Sequence, residues 1–231
     1  MEGFILVDKP AGLTSHDVID RIRKITGIRK VGHAGTLDPF ATGLLLIAIG
    51  SYTKKLQAFV GLDKTYEARL RLGAVSETYD TEGAKTEIIT EKPDDIDETR
   101  IETVLSSFRG GYLQKAPIFS AKKIKGRKLY ELARKGEATE SLRPEKQVEI
   151  HALTLNLFSW PHLDILVSCG SGTYIRSLAH DIGTALGTGA YAETLRRTKI
   201  GPYSIENSLI LKSLNKEQIG ASLLLDMDTD D

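Results

Sequence analysis

Cysteine is almost absent from this chain. Cys169 is the single one in 231 residues, which excludes an internal disulfide framework and suits a reducing compartment. Long hydrophobic runs are missing as well. The longest, Leu44 to Ile49, is far too short to span a bilayer. Met1 to Val7 carries no basic segment ahead of an apolar one, as a secretory leader would. These absences read as a soluble cytoplasmic protein with no membrane role. Several chemistries lack their signatures too. No Gly-Lys-Ser/Thr closes a Walker-type phosphate cradle, and no Gly-x-Ser-x-Gly elbow presents a serine nucleophile. The five histidines are scattered and Cys169 has no partners at zinc spacing, so no metal site is expected. Gly170-Ser171-Gly172 lacks the third glycine of a dinucleotide fingerprint.

An excess of either charge is also missing, with 31 basic and 31 acidic residues. A neutral balance argues against nucleic acid, which normally demands a basic footprint. The average hides an uneven distribution. From Arg109 to Lys146 there are eleven Lys/Arg against four Asp/Glu, and from Glu77 to Glu102 ten acids against three bases. A basic arm on a neutral body can track a phosphate backbone, or it can be a solvated helix face.

With 41% hydrophobic residues the chain has ample material for a core. Its patterns predict one mixed α+β domain over residues 1–231 with an excursion at about 109–147. Phe4 to Val7 reads as a strand followed by a turn from Asp8 to Gly12. Thr14 or Ser15 can cap a helix carrying Val18, Ile19, Ile22 and Ile25 on one face, ended by Gly27. Residues 31–43 read as a glycine-rich loop, ahead of a fully buried strand from Leu44 to Ile49. Ser51 can cap a short second helix. Thr65 to Leu72 alternates, with Tyr66, Ala68, Leu70 and Leu72 facing inward. A hairpin is expected around Glu82-Gly83, and a helix with Ile101, Val104, Leu105 and Phe108 ends at Gly110-Gly111. A short helix holds Leu129 to Ala133. Paired strands run from Val148 to Phe158 and from Leu163 to Cys169, turning near Trp160-Pro161. A helix from Ile175 to Leu186, an extended stretch from Ala192 to Ile205, a short terminal helix and an acidic tail from Asp226 to Asp231 complete the reading.

The glycine-rich loop is the most suggestive segment. Gly32, Gly35 and Gly43 allow close approaches that a Cβ would block, and Pro39 stiffens the exit from Asp38. Asp-Pro is also an ordinary turn dipeptide, so the loop alone reads as a turn. Asp38, Tyr66 on the inner face of its strand and Arg176 at the start of a helix are three polar residues at the edges of apolar elements. Arg176 beside Asp38 would keep the acid ionised and oriented, and an oriented Asp can be a nucleophile or a base. A Tyr ring offers a stacking face and a titratable hydroxyl. A buried ion pair and a core tyrosine account for the same residues.

The stretch Gly32-His33-Ala34-Gly35-Thr36-Leu37-Asp38-Pro39-Phe40-Ala41-Thr42-Gly43-Leu44-Leu45 resembles the catalytic motif of the TruB family of tRNA pseudouridine synthases. Four more stretches resemble the family's in order: Asp8-Lys9-Pro10 with Gly12 and Ser15, Lys64 to Ala68, Gly172 to Leu178, and Leu195-Arg196-Arg197-Thr198. The resemblance implies a mainly antiparallel sheet flanked by helices, with a basic RNA-gripping insertion. It implies that Asp38 is the catalytic aspartate, Tyr66 the active-site tyrosine, Arg176 its basic partner and Leu195 an apolar wall. His33 would meet RNA beside the flipped nucleotide. Lys9 with Pro10 would form the largely structural first motif, and Lys9, Tyr174, Lys122, Lys123 and Arg127 would add substrate contacts. The implied reaction isomerises uridine 55 in the T loop of tRNA without metal or cofactor. The partner is then the T arm of tRNA with no obligate protein partner, and the lack of a surplus apolar face in the sequence gives the expectation of a monomer.

The resemblance has gaps. Lys115-Ala116-Pro117-Ile118-Phe119-Ser120 stands where bacterial relatives usually show Pro-Pro-Tyr-Ser, and Ser171 stands where a lysine is frequent. The chain stops at Asp231, so a form without the RNA-binding PUA domain of longer relatives is expected. Two other functions fit the same residues: a noncatalytic RNA-binding or RNA-folding protein, and a guide-dependent synthase acting on ribosomal RNA.

Overall fold

The structure, a computed structural model, describes residues 1–120, 122–124, 126–137, 139 and 142–225. The expected acidic tail, Asp226 to Asp231, and Ala121 of the insertion lie outside the described residues. In chain order the elements are β1 (Gly3–Lys9), α1 (Ser15–Thr26), β2 (Val31–Ala34), β3 (Thr42–Ile49), α2 (Leu56–Val60), β4 (Lys64–Leu72), β5 (Ala74–Ser76) and β6 (Lys85–Glu87). They continue with α3 (Glu98–Ser107), β7 (Gly110–Lys115), β8 (Lys123–Ile124), β9 (Arg127–Lys128), α4 (Leu129–Arg134), β10 (Glu145–Ser159) and β11 (His162–Cys169). The last are α5 (Ile175–Leu186), β12 (Ala190–Ile200), β13 (Tyr203–Ser204), β14 (Leu209–Ile210) and α6 (Lys216–Ala221). Mixed helices and mainly antiparallel strands make the chain α+β, as the sequence predicts. Among the described residues no helix is long and apolar enough to cross a membrane.

The chain forms two compact units, residues 1–67 with 195–231, and residues 68–194. In the first, β3 is the central strand. It pairs antiparallel with β1 and with β2, and parallel with β12 at Thr42 and Gly43. Both faces of β3 are covered, which is why its sequence is a continuous apolar run rather than an alternation. Leu45, Ile47 and Ile49 pack with Val18, Ile19 and Ile22 of α1. Leu44, Leu46 and Ala48 pack with Phe4, Phe59 and Ile200. Thr14 caps α1 in a reciprocal box with Asp17, and Gly27 closes it in the left-handed region at φ 76°.

The second unit begins within β4, and its strand order is β4, β11, β10, β7. Leu163, Ile165, Val167 and Cys169 form the buried alternation of β11, and α5 buries Ile175, Leu178, Ala179, Ile182 and Leu186 at helical spacing. The β5–β6 hairpin lies where the turn around Glu82-Gly83 is expected. The ends of the basic stretch are sheet, since Gly110 to Lys115 pairs with Glu145 to Ile150. Only residues 116–144 make the excursion. Its neck is closed by the Ala116 N–H donating to Pro144 O (3.0 Å) and by Arg143 Nε donating to Ala116 O (2.8 Å).

Four local expectations need correction. Val31 to Ala34 is a strand, not loop, and Asp8-Lys9 ends β1 instead of opening a turn. Gly110-Gly111 begins β7, because α3 already stops at Ser107. Ser51 caps nothing. Residues 50–55 are a 3-10 turn, and the Ser51 hydroxyl donates to Glu2.

Candidate active site

In the first unit, the connection from β2 to β3 carries Asp38. Its backbone is fastened on both sides of that residue. Ser15, 2% exposed, accepts from the Leu37 N–H at 2.9 Å and donates to Leu37 O at 3.1 Å. Pro39 O accepts from the Gly12 N–H at 2.9 Å and from Lys9 Nζ at 3.2 Å. Asp38 O closes a turn by accepting from the Ala41 N–H, with Pro39 supplying the fixed φ such a turn uses.

Lys9 is fully buried, and its ammonium also donates to Pro10 O (3.0 Å) and Leu13 O (2.7 Å). A lysine survives burial only when its donors are engaged. This lysine lies beneath the loop, away from any surface that RNA can reach. As a substrate contact, Lys9 is therefore corrected to a support of the loop, while the structural reading of its motif stands.

The other edge of the loop is held by Arg197, a residue the sequence shows only within a motif. It is 1% exposed and donates from Nε to Leu44 O (2.8 Å) and from Nη2 to Gly35 O (3.1 Å). Arg197 sits opposite Gly43 in the parallel pairing of β12 and β3. A Cβ on Gly43 would lie 2.3 Å from Arg197 O, and Gly43 has φ +110°. Both conditions demand glycine. Arg196 points elsewhere, forming a fork with Asp8 at 2.7 and 3.2 Å.

His33, on β2, is partly buried. Burial and the Arg197 charge hold its imidazole below the ordinary histidine range, so it is neutral at pH 7, and its Nδ1 has no hydrogen-bond partner. Tyr66 is 9% exposed on the inner face of β4 and Leu195 is buried at 6%. The inward orientation of Tyr66 agrees with the alternation seen in the sequence.

In the second unit, Arg176 is 4% exposed at the start of α5. Its guanidinium faces Asp80 at 3.3 Å and donates to Thr78 O (2.8 Å) and Phe119 O (3.1 Å). Asp80, 2% exposed, accepts in addition from the Glu82 N–H and the Thr78 hydroxyl. Sequence reading did not select Asp80, because an Asp in an acidic loop looks solvated. Tyr79 beside it has φ 62°, stacks on His180 at 4.0 Å and accepts from Arg143 at 3.0 Å. The Tyr174 backbone is held by Gln114. Lys122 is exposed in the excursion, and Arg127 pairs with Glu137 at 2.8 Å on the surface. The side chain of Lys123 lies outside what the structure describes. Asp38, Tyr66, His33, Lys9 and Leu195 thus belong to one unit, and Arg176, Tyr174, Lys122 and Arg127 to the other.

Residues 23–175 match the model of the TruB family pseudouridylate synthase N-terminal domain, and residues 176–227 match that of the tRNA pseudouridylate synthase B C-terminal domain. The chain belongs to the TruB family of pseudouridylate synthases. It is 46% identical over 93% of its length to a tRNA pseudouridine synthase B of Gloeobacter violaceus, covering 73% of that protein. With the Aquifex aeolicus protein of the same name it shares 42% over 99% of the chain and 79% of the relative. Among solved structures, a Cbf5-Nop10-Gar1 complex is similar at a TM-score of 0.71 and 32% identity over 92% of the chain. An H/ACA RNP bound to a substrate RNA containing 2'-deoxyuridine is similar at 0.68 and 30% over 92% of the chain. The chain spans about half the length of those two structures' chains, 53% and 52%.

Proposed function

We propose that this protein isomerises uridine 55 in the T loop of tRNA to pseudouridine, with Asp38 as the catalytic carboxylate. The observation that carries the reading is the fastening of Leu37 and Pro39, which fixes the backbone at Asp38 before any substrate arrives. Preorganisation of this kind is what a reacting carboxylate needs. The reaction breaks C1′–N1, turns the uracil and forms C1′–C5. The proton on C5 leaves and one returns to N1, so the product has the atoms of the substrate. Asp38 serves as nucleophile or base in that sequence.

A stacked base must be extruded first, at a cost of a few kcal/mol. Stacking on the ring of Tyr66 offsets part of that cost, and its hydroxyl is the assigned acceptor of the C5 proton. His33, being neutral, meets RNA through its ring and a single donor rather than through charge. Arg176, held in one orientation by Asp80, is the basic residue of the reaction. The excursion, with Lys122 and Arg127 outward, grips phosphates. Leu195 supplies an apolar wall, and Tyr174 a further substrate contact. The assignment includes action as a cytoplasmic monomer on free tRNA.

The likeness to H/ACA structures supports a second reading, in which the chain works within a ribonucleoprotein. One experiment separates the two. The protein alone, incubated with unmodified tRNA transcript, should form pseudouridine at position 55, and Asp38→Asn should form none while binding tRNA within about a few fold. Turnover by Asp38→Asn near the wild-type rate overturns the assignment.

A further inference from the structure

Helix α5 carries Arg176 in its first turn but has no cap of its own. Tyr174 holds the N-cap position and offers no side-chain hydrogen bond to the helix. Its backbone is instead gripped from β7. Gln114, 2% exposed, accepts from the Tyr174 N–H at 2.8 Å and donates from Nε2 to Tyr174 O at 3.0 Å. These bonds settle which end of the carboxamide is which, since a backbone N–H can only donate. The second hydrogen on Nε2 goes to the Tyr112 hydroxyl. Tyr112 shares a cleft with the Asp181 carboxylate, and burial together with that charge pushes the Tyr112 hydroxyl well above the ordinary tyrosine range. The result is a directional chain, Tyr174 backbone to Gln114 to Tyr112, in which no donor faces a donor. Two further bonds tie the same turn to the root of the excursion: Ser177 Oγ donates to Lys115 O (2.8 Å) and Arg176 Nη2 to Phe119 O (3.1 Å).

We propose that Gln114 is a positioning residue for this reaction, fixing the Tyr174 peptide and so the first turn of α5 with Arg176, and that Tyr112, beside the Asp181 carboxylate, fixes Gln114 in turn. The inference rests on the proposed function for its kinetic consequences and on geometry alone for the clamp. Asp181 opens on a cleft of about 430 Å³ that links this chain to solvent. Among the described residues it is lined by Tyr112, Leu113 and Lys115 from β7, Arg143 before β10, Glu145 at the start of β10, the neighbouring His180, and Phe108 just after α3. Lys115 is occupied with Glu145 at 3.6 Å. Burial dominates over the Arg143 and Lys115 charges and pushes the Asp181 carboxyl up to about 6. The charge beside the Tyr112 hydroxyl is therefore lost as pH falls through that value.

The test compares Gln114→Met, Tyr112→Phe and Asp181→Asn with wild type, by amide hydrogen exchange and by single-turnover pseudouridine formation on saturating tRNA. Gln114→Met should speed exchange of the Tyr174 amide while β11 amides stay protected. It should also slow the saturated rate by about 10- to 100-fold, the scale of a misplaced catalytic group, with KM little changed. Asp181→Asn keeps the size of the side chain but cannot ionise. The ratio of wild-type to Asp181→Asn rates should then rise with pH through 6, whereas any His180 titration persists in both and cancels. Unchanged Tyr174 exchange in Gln114→Met overturns the clamp. If that variant does not fold, unchanged exchange in Tyr112→Phe overturns it instead. A wild type that makes no pseudouridine sinks the functional reading, while the exchange result still judges the clamp.

Discussion

The hydroxyl of Ser15 satisfies both the N–H and the C=O of Leu37, twenty-two residues further along the chain. One small side chain thereby anchors the residue before Asp38. Ser15→Ala leaves two buried backbone groups without this partner, a loss of about 1 to 3 kcal/mol. The denaturant midpoint should fall with an unchanged m-value, and the single-turnover rate should drop more than tRNA affinity. A variant with full rate would show that Asp38 does not depend on this anchor.

Gly43 tolerates nothing larger. With φ +110° and the Arg197 backbone 2.3 Å from a would-be Cβ, Gly43→Ala must push β12 from β3. A cost of about 2 to 4 kcal/mol is expected, in the range of strained backbone and overpacking. Thermal unfolding measures it. Arg197→Met keeps much of the bulk but leaves Leu44 O and Gly35 O without their donor, and should lower activity together with stability.

Asp80→Leu would leave the Arg176 guanidinium buried without the carboxylate at 3.3 Å. Removing one partner of a buried pair costs about 3 to 5 kcal/mol. Asp80→Asn, which can still accept, should retain more stability while losing rate. Equal rates for wild type and Asp80→Asn would separate the pair from the chemistry.

Acid should stabilise the protein relative to Asp181→Asn within one window. Asp181 titrates near 6 when folded and near the ordinary carboxylate value when unfolded. The native state therefore binds more protons between about pH 4 and 6, and stability from this group declines as pH rises across that interval. Denaturant midpoints of the two proteins at pH 4.5 and 7.5 test the sign. A gap that widens in the opposite direction contradicts the raised value.

With Lys122 and Arg127 of the excursion on phosphates, as proposed, increasing salt should weaken tRNA binding steeply. Charge reversal at Lys122 should flatten that slope without changing the saturated rate. A salt-independent affinity would remove the excursion from binding.

How much of this was legible in the sequence depended on whether partners were local. β3 stood out because burial on both faces left only apolar residues, and α1 and α5 because one face repeats every third or fourth residue. Asp38, Tyr66 and Arg176 could be picked out as polar residues at apolar edges. β2 could not be seen, because Gly32 and His33 break any alternation and its pairing comes wholly from β3. Lys9 looked like a turn residue since nothing nearby announces that three carbonyls enclose it. The ion pair of Asp80 and the clamp made by Gln114 were hidden because both reach across the chain. Their partners lie 96 and 60 residues away in the chain, at Arg176 and Tyr174.

The Arg197 bonds to Leu44 and Gly35 span 153 and 162 residues. During synthesis, the connection bearing Asp38 emerges from the ribosome early and must wait for β12 before its second edge is secured. Folding from such distant contacts is slow to nucleate. The nascent chain thus cannot secure both edges of the Asp38 connection until Arg197 has been made, a built-in delay between translation of that connection and its completion.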